Sequence, residues 1–279
     1  MPVYFESRKN KRKTNQDYCL YIEYRINHEA MIKTMIVADG MGGLACGEEA
    51  ATLAGEKWVL KLQKLTMSKN FLGKSLKDQM EQLKHFSYEV YQEINEEIYQ
   101  YLYNQGVKGG TTLTAAIYYW DTLILSNCGD SPAYYYSEKK NQFLKLSKEH
   151  NAAEEMLREG KVTKESLEYW KHKNMLTDYL GKYRKAEPYV TTVLFEKGDC
   201  ILIGSDGAYG KLNDESMKSA ILKGCNRPNQ IVKNILEAAE KQGEEDNQTL
   251  MCYLNEAEEE RKEPKKEKRG FFRKRQAVK

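Results

Sequence analysis

Tyr18, Leu20, Ile22, Tyr24 and Ile26 fall on one face of the stretch 18–26. Alternation of period two predicts a β-strand with that face buried. Residues 31–38 (MIKTMIVA) follow as a second strand, more uniformly apolar and so more deeply buried. The period then changes, and residues 48–64 read as a helix. A longer helix is predicted over 75–103, where Leu76, Met80, Leu83, Val90, Ile94, Ile98 and Tyr101 recur at steps of mostly three and four, with Ser75 as its N-cap.

Strand signals return in TTLTAAIYYW, DTLILSNC, PAYYYSE and QFLKLS. Their short polar connections predict an antiparallel meander. Residues 151–180 read as short helical pieces. PYVTTVLFE and DCILIGSD are two more strands, then two helices (about 213–223 and 227–242) and a last strand, NQTLMCYL. No repeat of solenoid period is present. Strands and helices come in separate blocks, which argues for an α+β protein: antiparallel sheets with helices packed outside them.

The apolar pattern stops after Leu254. From Asn255 onward, ten Lys/Arg against six Asp/Glu give the tail +4, so the whole-chain value of +3 leaves about −1 for the rest. The body is thus not basic enough to suggest nucleic-acid binding. The expected organisation is a domain over 1–254 and a charged, disordered tail over 255–279. A second reading of the tail stays open: FFRKR sets two aromatics beside three cations, a patch suited to anionic lipid or RNA.

A composition of 41% hydrophobic and 30% charged residues is that of a globular protein with material for a core. No apolar run approaches the roughly 20 residues needed to cross a bilayer. MPVYFESRKNKRK has no apolar segment behind its charges and does not read as a signal peptide. A cytoplasmic protein is expected, with the tail as its one route to a membrane surface. Six scattered cysteines without a C-x-x-C pair read as reduced thiols, and four histidines show no ligand spacing.

Candidate chemistry sits where strands end. VADGMGG (37–43) closes the second strand with Asp39, and ILIGSDG (201–207) closes another with Asp206. Asp130 ends LILSNCGDS, while Asp17 and Asp246 stand where strands begin. Asp-Gly commonly makes turns, which is the plain reading of any one site. Five such acids around one core also suit Mg²⁺ or Mn²⁺, which take oxygen ligands, and a two-metal hydrolytic centre gathers carboxylates from distant parts of a chain. The lysine of a phosphate-binding P-loop is missing after Gly43, and the motifs of a protein kinase are absent.

Taken in order, RKTNQD (12–17), VADGMGG, GGTTLTAA (109–116), NCGDSPAY (127–134), LSKEH (146–150), LIGSDGAYG (202–210) and EDNQTL (245–250) resemble the metal-dependent serine/threonine protein phosphatases of type 2C, bacterial branch. The resemblance covers roughly residues 3–254. It implies a four-layer α-β-β-α sandwich and hydrolysis of phosphoserine and phosphothreonine in proteins by water activated between two Mn²⁺ or Mg²⁺ ions. It also implies Asp39 as the bridging carboxylate, the Gly40 carbonyl on the second metal, and Asp206 and Asp246 on the first. Asp17 falls in the second metal's shell, Arg12 on the substrate phosphate, and Asp130 with Asp206 at a weaker third-metal site. A cognate serine/threonine kinase and a monomeric chain complete the expectation. A catalytically weak, phosphoprotein-binding module is the alternative.

Departures from the pattern are Gln16 for Glu, Pro132 for the Arg after Gly-Asp-Ser, and Glu149 for Asp before His150. Met41 stands where eukaryotic members carry a His, which leaves protonation of the leaving group without an assigned side chain. The stretch 151–187 resembles the family's flap and the motif after it.

Overall fold

The computed structural model describes residues 2–42, 46–210, 212–224 and 226–256; the charged tail expected over 255–279 falls almost wholly outside them. From the amino end, β1 (Val3–Arg8), β2 (Asp17–Arg25) and β3 (Met31–Gly42) lead into helices α1 (Cys46–Thr66), α2 (Lys69–Leu72) and α3 (Leu76–Asn104). Five strands follow: β4 (Gly109–Thr111), β5 (Leu113–Tyr119), β6 (Thr122–Cys128), β7 (Ala133–Ser137) and β8 (Gln142–Lys145). Helices α4 (Ala152–Arg158) and α5 (Leu167–His172) precede β9 (Tyr189–Leu194) and β10 (Cys200–Gly204). Helices α6 (Asp206–Tyr209), α7 (Asp214–Lys223) and α8 (Pro228–Lys241) and strand β11 (Gln248–Leu254) complete the described chain.

The strands form two sheets, in the orders β1-β11-β10-β7-β8 and β2-β3-β5-β6-β9, with β4 paired to β3. All named pairings are antiparallel. The uniformly apolar runs have a physical explanation in their two buried faces. Along β3, Ile32, Ile36 and Ala38 pack against α1 and α3, while Met35 and Val37 point to the other sheet. Along β11, Leu250, Cys252 and Leu254 face α7 and α8, while Met251 and Tyr253 join the core between the sheets. Helices thus cover both outer faces, giving the four layers α-β-β-α.

The expected face of β2 is the observed one, since Tyr18, Leu20, Ile22 and Tyr24 lie against the α1–α3 core. Ser75 caps α3 as its spacing implies, its hydroxyl accepting from the Asp78 amide at 3.3 Å. Two features differ from expectation. β1 was not anticipated: six residues offer too short an alternation, and pairing to the edge of β11 supplies what local pattern lacks.

The four-strand meander is in fact two hairpins in different sheets, β5–β6 in one and β7–β8 in the other. The chain crosses between sheets over residues 129–132. Gly129 takes φ of +103°, and a Cβ there would stand 2.5 Å from Thr112 Cγ2. Pro132 has no N–H to continue a ladder. The crossing is pinned by Thr114, whose hydroxyl donates to the Ser131 carbonyl at 2.7 Å, and it carries Asp130.

Candidate active site

The backbone of Asp39 is fixed from both sides. Its N–H donates to Thr112 Oγ1 at 2.9 Å, and its carbonyl accepts from the Thr112 amide at 2.9 Å and the Thr111 hydroxyl at 3.0 Å. Asp17 is the cross-strand partner of Asp39 on β2. Its Oδ2 accepts from the Ser205 hydroxyl at 2.8 Å, while Oδ1 is buried without a hydrogen-bond partner. Ser205 is itself tied to Thr249, so β10 and β11 hold the carboxylate of a strand in the other sheet.

Asp206 opens α6 directly after β10, and Asp246 precedes β11 by two residues. Asp246 Oδ2 accepts from Arg12 Nη2 at 2.6 Å. Asp39, Asp130, Asp206 and Asp246 line one cleft of about 530 Å³ together with Arg12, Gly40 and Met41. Two of the five acids thus come from the β2–β3 sheet, two from the termini of β10 and β11, and Asp130 from the crossing between them.

Gly40 has no room for a side chain. A Cβ there would run into the carbonyl of Gly47 and stand 2.7 Å from the carbonyl of Gln16. The loop bearing Arg12 is set by Asn247, whose amide donates to the carbonyls of Lys9 and Thr14 at 2.9 Å each and whose Oδ1 accepts from the Gln16 amide at 3.0 Å. Sequence reasoning passed over Asn247, although it sits beside Asp246 in EDNQTL. It also passed over Ser205 and Thr112, whose roles depend on partners far along the chain.

The cluster is electrostatically frustrated. Burial holds the Asp39 carboxyl well above the usual range, and the charges of Asp17, Asp206, Asp130 and Asp246 push it further. Asp17 is pushed up to about 6, chiefly by burial, against the hydrogen bonds from Ser205 and Thr249. Burial and Asp206 raise Asp130, and burial and Asp246 raise Asp206. An all-oxygen donor set, mutual repulsion and an orphaned buried carboxylate oxygen together fit hard divalent cations.

A pH dependence follows. These folded-state values lie above those of the unfolded chain, so on raising the pH the unfolded chain loses its protons first. The stabilising contribution is complete below about pH 4 and is lost as the pH climbs through about 6. Without divalent ions the melting temperature should fall from pH 5 to 7.5, and saturating Mn²⁺ should raise it more at the upper end. Scanning calorimetry across that window checks both signs; stabilisation by Mn²⁺ that shrinks as pH rises would refute the assignment.

His150 is near but engaged otherwise. Its Nδ1 accepts from the Gly129 amide at 3.2 Å, and burial lowers its pKa. A nitrogen of His150, Cys128 Sγ and an Asp178 oxygen lie within 4.8 Å of one another, a grouping of possible ligands that residue spacing did not reveal. The Asp178 carboxylate already accepts from Lys182 Nζ at 2.6 Å, the Glu187 amide at 2.9 Å and the Cys128 thiol at 3.2 Å. This cluster ties the end of β6 to the segment after α5.

Two face-to-face antiparallel sheets, helices outside, and five aspartates gathered from both sheets define the protein phosphatase 2C class. The family description "Protein phosphatase 2C" matches residues 6–255, and the chain belongs to that family. It is 30% identical over 223 residues to the serine/threonine phosphatase Stp of Listeria innocua, covering 78% of this chain and 82% of that protein. It is 26% identical over 217 residues to the protein phosphatase PhpP of Streptococcus pneumoniae, covering 76% and 80%. The serine/threonine phosphatase Stp1 of Staphylococcus aureus shares the fold, with a TM-score of 0.74 and 20% identity over 90% of this chain and 94% of that one. The catalytic domain of the phosphatase PstP, solved with two manganese ions, superposes with a TM-score of 0.67 and 23% identity, covering 90% and 97%. Among the described residues, no helix is long and apolar enough to cross a membrane.

Proposed function

We propose that the chain is a Mn²⁺- or Mg²⁺-dependent phosphatase that removes phosphate from serine and threonine in proteins and opposes a serine/threonine kinase. The observation that carries this is the convergence of Asp17, Asp39, Asp130, Asp206 and Asp246, with the orphaned Asp17 oxygen, beside an exposed arginine. Asp39, centred among the other acids and fixed through its backbone, is the carboxylate both ions would share. Gly40 offers a carbonyl, Asp206 and Asp246 would hold the first ion, and Asp17 would support the second. Two ions bound there would acidify water and offset charge on the phosphoryl oxygens.

Arg12, 60% exposed at the rim, presents a planar guanidinium suited to two phosphoryl oxygens. Asn247 keeps its loop in place. Met41 offers no proton to the leaving group, which leaves its protonation without an assigned side chain. Retention of every acid and of Arg12 favours an active enzyme over a phosphoprotein-binding module.

Turnover of p-nitrophenyl phosphate and of a phosphothreonine peptide, with Mn²⁺ and with chelator, tests the reading. Turnover should vanish on chelation. Arg12→Ala should lower kcat/KM by roughly 10², the scale of one lost transition-state contact. Its melting temperature should barely move, because an exposed ion pair contributes little. Chelator-resistant turnover would overturn the proposal.

A further inference from the structure

The strands run between two ends of the sandwich. Asp17, Asp39, Asp206 and Asp246 stand at one; the β5–β6 turn, the end of β11 and the corner from α1 through α2 to α3 meet at the other. From Met31 to Asp39, strand β3 alone spans about 26 Å. Contacts tie the far end together. Tyr24 and Thr66 share a hydroxyl hydrogen bond of 3.0 Å, which fixes the end of α1 to β2. The Tyr119 hydroxyl donates to Gln79 Oε1 at 2.6 Å, and Gln79 Nε2 donates to the Phe71 carbonyl at 3.0 Å, which brings α2 and the start of α3 to the β5–β6 turn. The Asn255 amide side chain donates to the Phe195 carbonyl at 2.8 Å, and the Phe195 N–H donates to the Asp121 carbonyl at 2.8 Å. The chain therefore leaves β11 beside the same turn.

This far end is apolar and basic at once. Phe71 is buried in the corner, yet Met67, Leu72, Leu76 and Trp120 are between 38% and 55% exposed. Trp120 holds a left-handed φ of +57° in the β5–β6 turn, where asparagine or glycine is the favoured residue. A bulky side chain kept there against its backbone preference, half in solvent, serves something outside the turn. Around it, residues 64–78 carry Lys64, Lys69, Lys74 and Lys77 against one acid, Asp78. All four lysines are exposed, and none forms an ion pair among the described residues. Lys57 and Lys61, earlier on α1, are by contrast paired with Glu97 and Glu93 of α3. Asp78 accepts from the Ser75 hydroxyl at 2.7 Å, and Asp121 from that of Thr122 at 3.0 Å. Farther along the sequence, residues 261–279 add ten Lys/Arg against two acids, FFRKR among them. Exposed apolar groups beside cations suit the boundary between headgroups and acyl chains of an anionic bilayer, and lasting attachment there takes two signals. We infer that this end of the sandwich docks on an anionic lipid surface. Met67, Leu72, Leu76 and Trp120 enter it, the four lysines meet its headgroups, and residues 261–279 supply the second anchor. The acid-lined cleft then faces away from the bilayer, open to proteins in the aqueous phase. This goes beyond the phosphatase reading and does not depend on it.

Co-sedimentation of the full chain with vesicles of phosphatidylcholine, and of phosphatidylcholine mixed with phosphatidylglycerol, tests it. Wild type should bind the mixed vesicles, release them at high salt, and leave the neutral ones alone. Lys69→Glu, Lys74→Glu and Lys77→Glu together, with residues 261–279 untouched, should weaken binding on the order of 10²-fold, each cation near the surface counting for roughly fivefold. Met67→Gln with Leu76→Gln, which leaves every charge in place, should weaken it on the order of tenfold. Arg273→Ala, Lys274→Ala and Arg275→Ala together should weaken it too, leaving a remainder that the three glutamates remove. Unchanged circular-dichroism melting certifies each variant, and the glutamine pair decides the matter if the glutamate triple variant fails to fold. Wild-type binding by the glutamate triple or the glutamine pair would overturn the inference, by leaving residues 261–279 as the whole anchor. Equal binding to neutral vesicles, or no binding to either kind, would overturn it as well. So would capture of polyuridylate RNA without capture of vesicles, which would assign the cations to nucleic acid.

Discussion

Asp39→Asn should abolish turnover while making the metal-free protein more stable. The carboxylate stands among four others, and burial disfavours its charge, so the folded chain bears a cost that only bound cations relieve. Asparagine keeps the shape and removes the charge. Phosphatase activity should fall on the order of 10³-fold or more, because the carboxylate proposed to be shared by both ions is lost. At pH 7 the metal-free variant should be more stable than wild type, because the charge that burial and the neighbouring carboxylates disfavour is gone. Saturating Mn²⁺ should stabilise wild type more than the variant. Melting curves with and without Mn²⁺, alongside turnover, decide it; a variant both active and destabilised would refute the assignment of Asp39.

The second large effect is expected at Gly40. Alanine there sets a methyl group into the Gly47 carbonyl and 2.7 Å from that of Gln16. Both are main-chain atoms, so no side chain can swing aside. Either the end of β3 or the first turn of α1 must shift, at a cost of roughly 1–3 kcal/mol or more for an overpacked site. Any such shift displaces Asp39 and its carbonyl neighbour by a fraction of an ångström, which a metal centre does not tolerate. Gly40→Ala should therefore lose both stability in denaturant and Mn²⁺ affinity. Gly73→Ala is the control: a Cβ there meets only one carbonyl oxygen, at 3.2 Å, far from the site. A Gly40→Ala protein with unchanged Mn²⁺ affinity would show that the contact is slack.

Much of this architecture was legible because period and burial coincide. β2, with one face against helices, reads as strict alternation; β3 and β11, buried on both faces, read as apolar runs. The crossing at Gly129 was not legible. Two hairpins in one sheet and two in separate sheets have the same local pattern, and only long-range contacts such as Thr112 against Gly129 and Thr114 on the Ser131 carbonyl distinguish them. Candidate ligands were visible as acids at strand ends, yet their convergence was implied by resemblance, since carboxylates distant in sequence share no spacing. Supporting groups were hidden for a related reason. Ser205 and Asn247 look like ordinary polar residues until Asp17 and the Arg12 loop are brought to them.

The core between the sheets sets more than stability. With Asp17 and Asp39 on one sheet and Asp206 and Asp246 beside strand ends of the other, the spacing of the sheets bears on how far apart the carboxylates stand. The rings of Phe195, Tyr118 and Tyr253 fill the far end of that layer in tilted and edge-on contact, and Val37, Ala133, Ile203 and Met251 pack in the part next to the site. They work as a shim. Sequence drift among Val37, Ala133, Ile203 and Met251 would retune which cation fits and how tightly, without a single ligand being exchanged.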